Sequence, residues 1–385
     1  MVGREYPSEI RSYQDAKTGV TVRQLTGDGS NNYHLYFTDN SFTLGDREIY
    51  FLSDRGSRQP ELFNYFRMDL QSGLITQLTA ESNGISKPTK SPDSRLLIYE
   101  TDNRIKKLDP RTGATEIIYE TNDDYQLGMP FISPDQKYLG FARNENVRID
   151  DGPNYQGFKE RFYAIKRGWI TLVELASGRV FDVFEDTHQL GHFQFSPLDP
   201  TLATFCHEGP WHLVTQRIWL LDLISRSVKP CFRQGEDDCI GHEFWTRDGN
   251  IFFDNRRKGH DGTITSSKTQ ATVGETLTDQ IPYVGLADPS GELIRSIDLP
   301  FYCNHLHANN DNTLLVGDEV EDLVLIDIRR DQPQLKTLCT HHTSWYLQRT
   351  HCHPTFSWGC GQILYTSDRD GQCNVYTVDP EQVTW

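Results

Sequence analysis

Seven turn signals of one type punctuate this chain and leave little freedom over its fold. Ser91-Pro92-Asp93 and Ser133-Pro134-Asp135 are the plainest. Ser196-Pro197-Leu198-Asp199, Thr246-Arg247-Asp248-Gly249 and Asn309-Asn310-Asp311-Asn312 are variants, and Thr43-Leu44-Gly45-Asp46 and Ser357-Trp358-Gly359 looser members. Such clusters make tight turns because Pro presets φ and Ser, Asp and Asn accept local N–H groups. A short apolar run follows each: Glu48–Leu52, Leu96–Tyr99, Tyr138–Ala142, Leu202–Cys206, Ile251–Asp254, Thr313–Val316 and Gln362–Thr366. A third strand then ends in a turn such as Asp69-Leu70-Gln71-Ser72-Gly73, and a fourth closes the unit. Units of four short antiparallel strands at a spacing of about 40–60 residues read as propeller blades. The expectation is an all-β, seven-bladed β-propeller occupying residues 1–385 as one domain. The last unit runs out at Trp385, whereas Thr21-Val22-Arg23-Gln24-Leu25-Thr26 matches the fourth strand of the first unit. An N-terminal strand at about 20–27 is therefore expected to complete the blade at about 348–385, which removes open sheet edges.

The same turns set a register. Four residues before each turn stand Asp39, Lys87, Met129, His192, His242, His305 and His353. Four consecutive blades thus carry histidine at one height near the start of the innermost strand. One histidine at a strand end is ordinarily satisfied by backbone or water; packing gives no reason for four. Blade seven adds Gln348 and His351 in Gln348-Arg349-Thr350-His351-Cys352-His353-Pro354. On a strand, His351 and His353 would point to one side and Cys352 to the other. Converging neutral imidazoles suit Mn, Fe, Ni or Zn, and an amide oxygen favours the harder end of that series. His305 from the adjacent blade would complete a set of three histidines and a glutamine, with His307 as its alternative. Loops on the same face carry Cys206-His207-Glu208-Gly209-Pro210-Trp211 and Arg217. Lys87, His192 and His207 are candidate ligand-binding positions by register and loop position. Two long loops, Asn146–Lys166 and Lys258–Gln280, are either lids or loose insertions.

Composition excludes some classes of function. With 38 basic and 54 acidic residues the net charge is −16, which argues against a nucleic-acid partner. An anionic ligand would need a local positive site, and a metal with Arg or Lys beside it provides one. The eight cysteines include no CxxC pair, so neither a zinc ribbon nor a disulfide framework is indicated. No apolar run approaches the roughly 18 residues of a membrane span. Free thiols and a polar N-terminus point to the cytoplasm. Oligomeric state is not encoded in any of these features.

Along nearly its whole length the chain resembles the oligogalacturonate lyases, seven-bladed polysaccharide lyases acting on short pectin fragments. The likeness is most specific at His192-Phe193-Gln194-Phe195-Ser196-Pro197, Cys206–Trp211 with Gln216-Arg217-Ile218-Trp219, Gly241-His242-Glu243-Phe244-Trp245 and the Gln348–Pro354 stretch. The resemblance implies Mn²⁺, with another divalent transition metal as the alternative, held by His305, Gln348, His351 and His353. It also implies His242 as the Brønsted base and Arg217 beside the substrate carboxylate. The chemistry agrees: removing the C5 proton of a 4-linked uronate builds charge on the adjacent carboxylate, which a metal and an arginine offset. A base titrating near neutrality is then required, and histidine supplies it. The group protonating the O4 leaving oxygen is not identified. Competing readings are a non-catalytic propeller that binds a ligand or protein, and a lyase for another uronate-bearing oligosaccharide. A propeller-gated serine peptidase is excluded, since no G-x-S-x-G motif is present.

Overall fold

The computed structural model describes residues 2–150, 156–256 and 282–385. Seven antiparallel sheets of four or five strands follow one another along the chain; their fold class is the seven-bladed β-propeller. Serine explains the turns between the first two strands of a blade. Ser91 Oγ donates to Asp93 at 2.6 Å while accepting from the N–H groups of Arg95 and Leu96 at 3.1 and 2.9 Å. Ser133 repeats this with Asp135, Lys137 and Tyr138. One hydroxyl thus satisfies N–H groups that the turn strips from the ladder. The second strands run slightly longer than the apolar runs suggest, for example Glu48–Ser53, Leu202–His207 and Ile251–Asn255.

The chain forms two compact units. Met1–Ser86 and Phe301–Trp385 make one, containing blades one, six and seven; Lys87–Pro300 makes the other, containing blades two to five. In the first unit, the last blade runs Arg11–Gln14, Thr21–Gln24, Asn374–Val378, Ile363–Ser367, Thr355–Phe356. Val22 pairs with Val378 and Gln24 with Tyr376, so the N-terminal strand takes the fourth place as expected. Beyond expectation, Arg11–Gln14 adds a fifth strand outside it, and Glu5–Tyr6 does the same for blade one. Val22, Val316, Leu325, Cys352, Phe356, Tyr365 and Tyr376 share one core; Cys352 faces that core, as expected. In the second unit Ala142, Ile170, Phe193, Phe205 and Leu221 are among those that form another.

The innermost strands depart from regular pleating at the histidine register. Pairing slips between Gly191 and Gln194 in blade four and between Ile240 and Glu243 in blade five. Lys87, His192 and His353 all take positive φ, at 49°, 46° and 46°. The slips at His192 and His242 are bulges, and a bulge re-aims one side chain out of the pleat. Blade one breaks the count. Its chain leaves the inner strand after His34 and rejoins at the Phe42–Ile49 bridge, so Asp39 lies in a wide excursion instead of on the strand. Ser41 Oγ, accepting from Leu35 N at 2.8 Å, closes that excursion.

The Asn146–Lys166 insertion is not a loose loop throughout. Helix Phe158–Ala164 is tied down by Arg161, which donates to Gln126 at 3.0 Å. Phe162 approaches so closely that a Cβ at Gly209 would lie 2.3 Å from it. The Lys258–Gln280 loop lies outside the described residues. Among the described residues, no helix is long and apolar enough to cross a membrane.

Candidate functional site

In the unit of blades one, six and seven, His305, His351 and His353 each bring a ring nitrogen within 4.8 Å of the others. All three are buried. Asp318, ending strand Leu314–Asp318, accepts from His305 twice, from the main-chain N–H at 2.5 Å and from Nδ1 at 2.8 Å. That fixes the proton on Nδ1 and leaves the Nε2 lone pair for a metal, the usual carboxylate–histidine support of a ligand. Burial pushes the pKa of His351 down to about 4, so it stays in the neutral form that a metal requires.

The convergence of His351 and His353 does not come from strand alternation. Gln348–Thr350 is a 3₁₀ turn, and the next strand, Thr355–Phe356, starts only after both histidines. His351 is extended at the end of the turn and His353 left-handed, which sets their ring centroids 5.7 Å apart. Gln348 opens the turn with its side chain exposed, outside the buried trio. His307 lies outside that group, its Nδ1 accepting from Phe356 N at 3.3 Å. The excursion after His34 supplies an aromatic wall: Tyr36 lies 4.9 Å from the His353 ring and Phe37 5.3 Å from that of His305.

The unit of blades two to five holds the other expected residues. His192 and His242, bulge residues of blades four and five, have ring centroids 5.8 Å apart. Each follows a glycine that makes room for a carboxylate. A Cβ at Gly191 would meet Glu208 at 2.3 Å, and one at Gly241 would meet Asp254 at 2.5 Å. His192 Nδ1 faces Glu243 at 3.1 Å, and its Nε2 lies 3.9 Å from Glu208. Burial opposes its charged form, yet Glu243 and Glu208 outweigh that and raise its pKa. Arg217, buried, donates to both oxygens of Glu208 at 3.2 and 3.4 Å. Although burial disfavours its charge, Glu208 raises its pKa further. Burial likewise opposes the charge on Glu208, but Arg217 and His192 lower its pKa. Basic and acidic side chains therefore alternate through Arg217, Glu208, His192 and Glu243. The main-chain N–H of His242 donates to Asp254, whose Oδ1 is 3.6 Å from Nδ1.

His207 turns its ring to Asp186 at 3.1 Å and stacks on His188 with centroids 4.2 Å apart. Burial and His188 lower its pKa to about 4, despite Asp186. Asp186, His188 and His207 lie close enough for an ion, as do His192, Cys206 and Glu243. The parallel rings of the first group do not converge, and in the second Glu243 already takes His192 Nδ1 and the Cys206 thiol. Lys87 pairs with Glu100.

Sequence reasoning found the histidines and missed the carboxylates that orient them. A signal was present. Asp254 follows His242 by 12 residues and Asp318 follows His305 by 13, and each accepts its histidine's main-chain N–H. The repeat carries both members of the pair, one strand apart.

A propeller with a buried trio of converging imidazoles defines the class: an all-β protein with a candidate metal centre. The oligogalacturonate lyase model matches residues 1–383. The oligogalacturonide lyase of Pectobacterium atrosepticum is 27% identical, with 100% of this chain and 99% of that protein covered. The oligogalacturonate lyase of Dickeya dadantii is 26% identical with the same coverage. A solved oligogalacturonate lyase in complex with manganese superposes with a TM-score of 0.85 at 27% identity, covering 99% of both chains. This chain belongs to the oligogalacturonate lyase family, whose members are carbon–oxygen lyases of oligosaccharides.

Proposed function

We propose that the protein cleaves digalacturonate or unsaturated digalacturonate by β-elimination, as a single propeller domain spanning residues 1–385. The observation that carries this reading is the His305–His351–His353 trio, with His305 Nδ1 spent on Asp318, in a chain of this family. Mn²⁺, the ion in the solved relative, fits these donors, and another divalent transition metal is the alternative. His305, His351 and His353 would hold it, Gln348 serving as the fourth ligand once its exposed side chain turns inward, and when bound it supplies a Lewis acid for the uronate carboxylate.

His242 takes the C5 proton. Asp254 beside Nδ1 favours the tautomer with its proton there, which leaves Nε2 to act as the base. Arg217 meets the charge growing on the carboxylate. Its planar fork is held rigidly by Glu208, so no reorganisation is required as charge develops. His192, whose charged form Glu243 and Glu208 favour against the cost of burial, and Lys87 face the uronide's charge, while His207, neutral to about pH 4, offers a hydrogen bond. Elimination breaks the C4–O4 bond, and the products are an unsaturated uronate and a shortened uronide. All eight cysteines are free thiols, which supports a reducing cytoplasmic setting.

Incubation with digalacturonate tests the reading. A rise in ultraviolet absorbance from the new C4–C5 double bond is expected. Saturated galacturonate alone as product, or no turnover of any uronide, overturns it.

A further inference from the structure

His34 belongs to no part of the chemistry above, yet it is buried in the same unit as the imidazole trio and uses both ring nitrogens. Its Nε2 lies 2.8 Å from the main-chain oxygen of His353, and its Nδ1 2.7 Å from Thr366 Oγ1. A carbonyl only accepts, so Nε2 carries the proton, and Nδ1 accepts the Thr366 hydroxyl. The carbonyl it grips belongs to the residue with left-handed φ of 46°, a conformation that a side chain with a Cβ rarely adopts. Thr355 Oγ1 donates to the same oxygen at 3.1 Å. Thr366 is itself fixed, because its main-chain N–H donates to Cys352 O at 3.0 Å. Strand Asn32–His34 of blade one thus reaches the main chain of His353 through the His34 imidazole.

We infer that His34 is a positioning residue for the metal centre, holding the main chain of His353 in the left-handed conformation from which its imidazole meets His305 and His351. This rests on the metal reading above. The imidazole keeps its aim only while the backbone of His353 is fixed, and here the fixing groups are the His34 N–H, oriented by Thr366 Oγ1, and the Thr355 hydroxyl. Strained conformations of this type persist where surrounding contacts over-determine them.

Glutamine and asparagine at position 34 separate this role from simple packing. A glutamine amide reaches as far as Nε2 and can still donate to His353 O, whereas an asparagine amide reaches only as far as Nδ1. Mn²⁺ affinity is measured by calorimetry on the full chain, beside the melting temperature of each variant. H34N is expected to weaken Mn²⁺ binding about 10–100-fold, as loss of a ligand-orienting partner does, with H34Q recovering most of it. Both should melt at similar temperatures. Thr366→Val, which releases the ring at Nδ1 without emptying the site, should weaken binding in the same direction and decides the matter if H34N does not fold. Wild-type affinity in a folded H34N or in T366V overturns the inference. Failure of the wild-type protein itself to bind Mn²⁺ removes the metal reading and this inference with it.

Discussion

At the scale of the residue, the chemistry depends on which atom of each side chain is already spent. Asp318 lies against Nδ1 of His305, and Glu243 against that of His192; in the proposed chemistry the first carboxylate orients a neutral ligand and the second favours the charged ring. Asp318→Asn keeps the shape and removes the charge, so Mn²⁺ affinity should fall about 10–100-fold while the fold stays intact. Calorimetric titration with Mn²⁺ checks this, and an unchanged affinity would detach Asp318 from the metal. The histidines were legible in the sequence because imidazole at one register in four blades has no packing explanation. Their carboxylate partners were not legible one at a time, since a lone Asp at a strand end resembles any turn residue. Only aligning blades five and six with each other exposes the recurrent His–Asp spacing.

Among the elements, turns were legible and bulges were not. A serine or aspartate accepting two N–H groups writes itself into the sequence as S-P-D, whereas an extra residue in an inner strand leaves no composition signal. The wide excursion of blade one was invisible for that reason, and with it the placement of Tyr36 and Phe37 against the imidazoles. The completing strand at the N-terminus was legible by its match to an earlier fourth strand. Removing residues 1–24 would strip Thr21–Gln24 from Asn374–Val378 and bare a strand whose residues are all buried. Such an edge invites pairing between molecules. Size-exclusion chromatography should then show aggregation, while removing residues 1–8, which takes away only the two-residue edge strand Glu5–Tyr6, should leave the elution unchanged. Monodisperse behaviour of the longer deletion would contradict the assigned topology.

For the molecule as a whole, stability carries a signature of buried neutral histidine. His341 donates from Nε2 to Glu319 O at 2.8 Å and accepts Thr343 N at Nδ1 at 3.1 Å, an arrangement that only the neutral ring satisfies. Burial lowers its pKa to about 4, as burial and His188 do for His207. Unfolded, both titrate near 6.5. Between those values the unfolded chain binds more protons, so stability is lost as pH falls from 6.5 towards 4. The expected slope is roughly 1.4 kcal/mol per pH unit for each ring. Denaturant melts across this range test the slope, and His341→Gln should make it shallower. An unaltered slope would place the proton uptake elsewhere. Net charge of −16 makes an anionic substrate depend on local cations, and this ties the whole account to one metal. The most direct test is to strip the protein with a chelator, add Mn²⁺ stepwise, and follow the ultraviolet absorbance of the C4–C5 double bond formed from digalacturonate. The account predicts no signal without metal and a rate that rises with bound Mn²⁺ until a single ion per chain is held. Full activity in the metal-free protein, or a manganese-loaded protein that forms no unsaturated product, would contradict it.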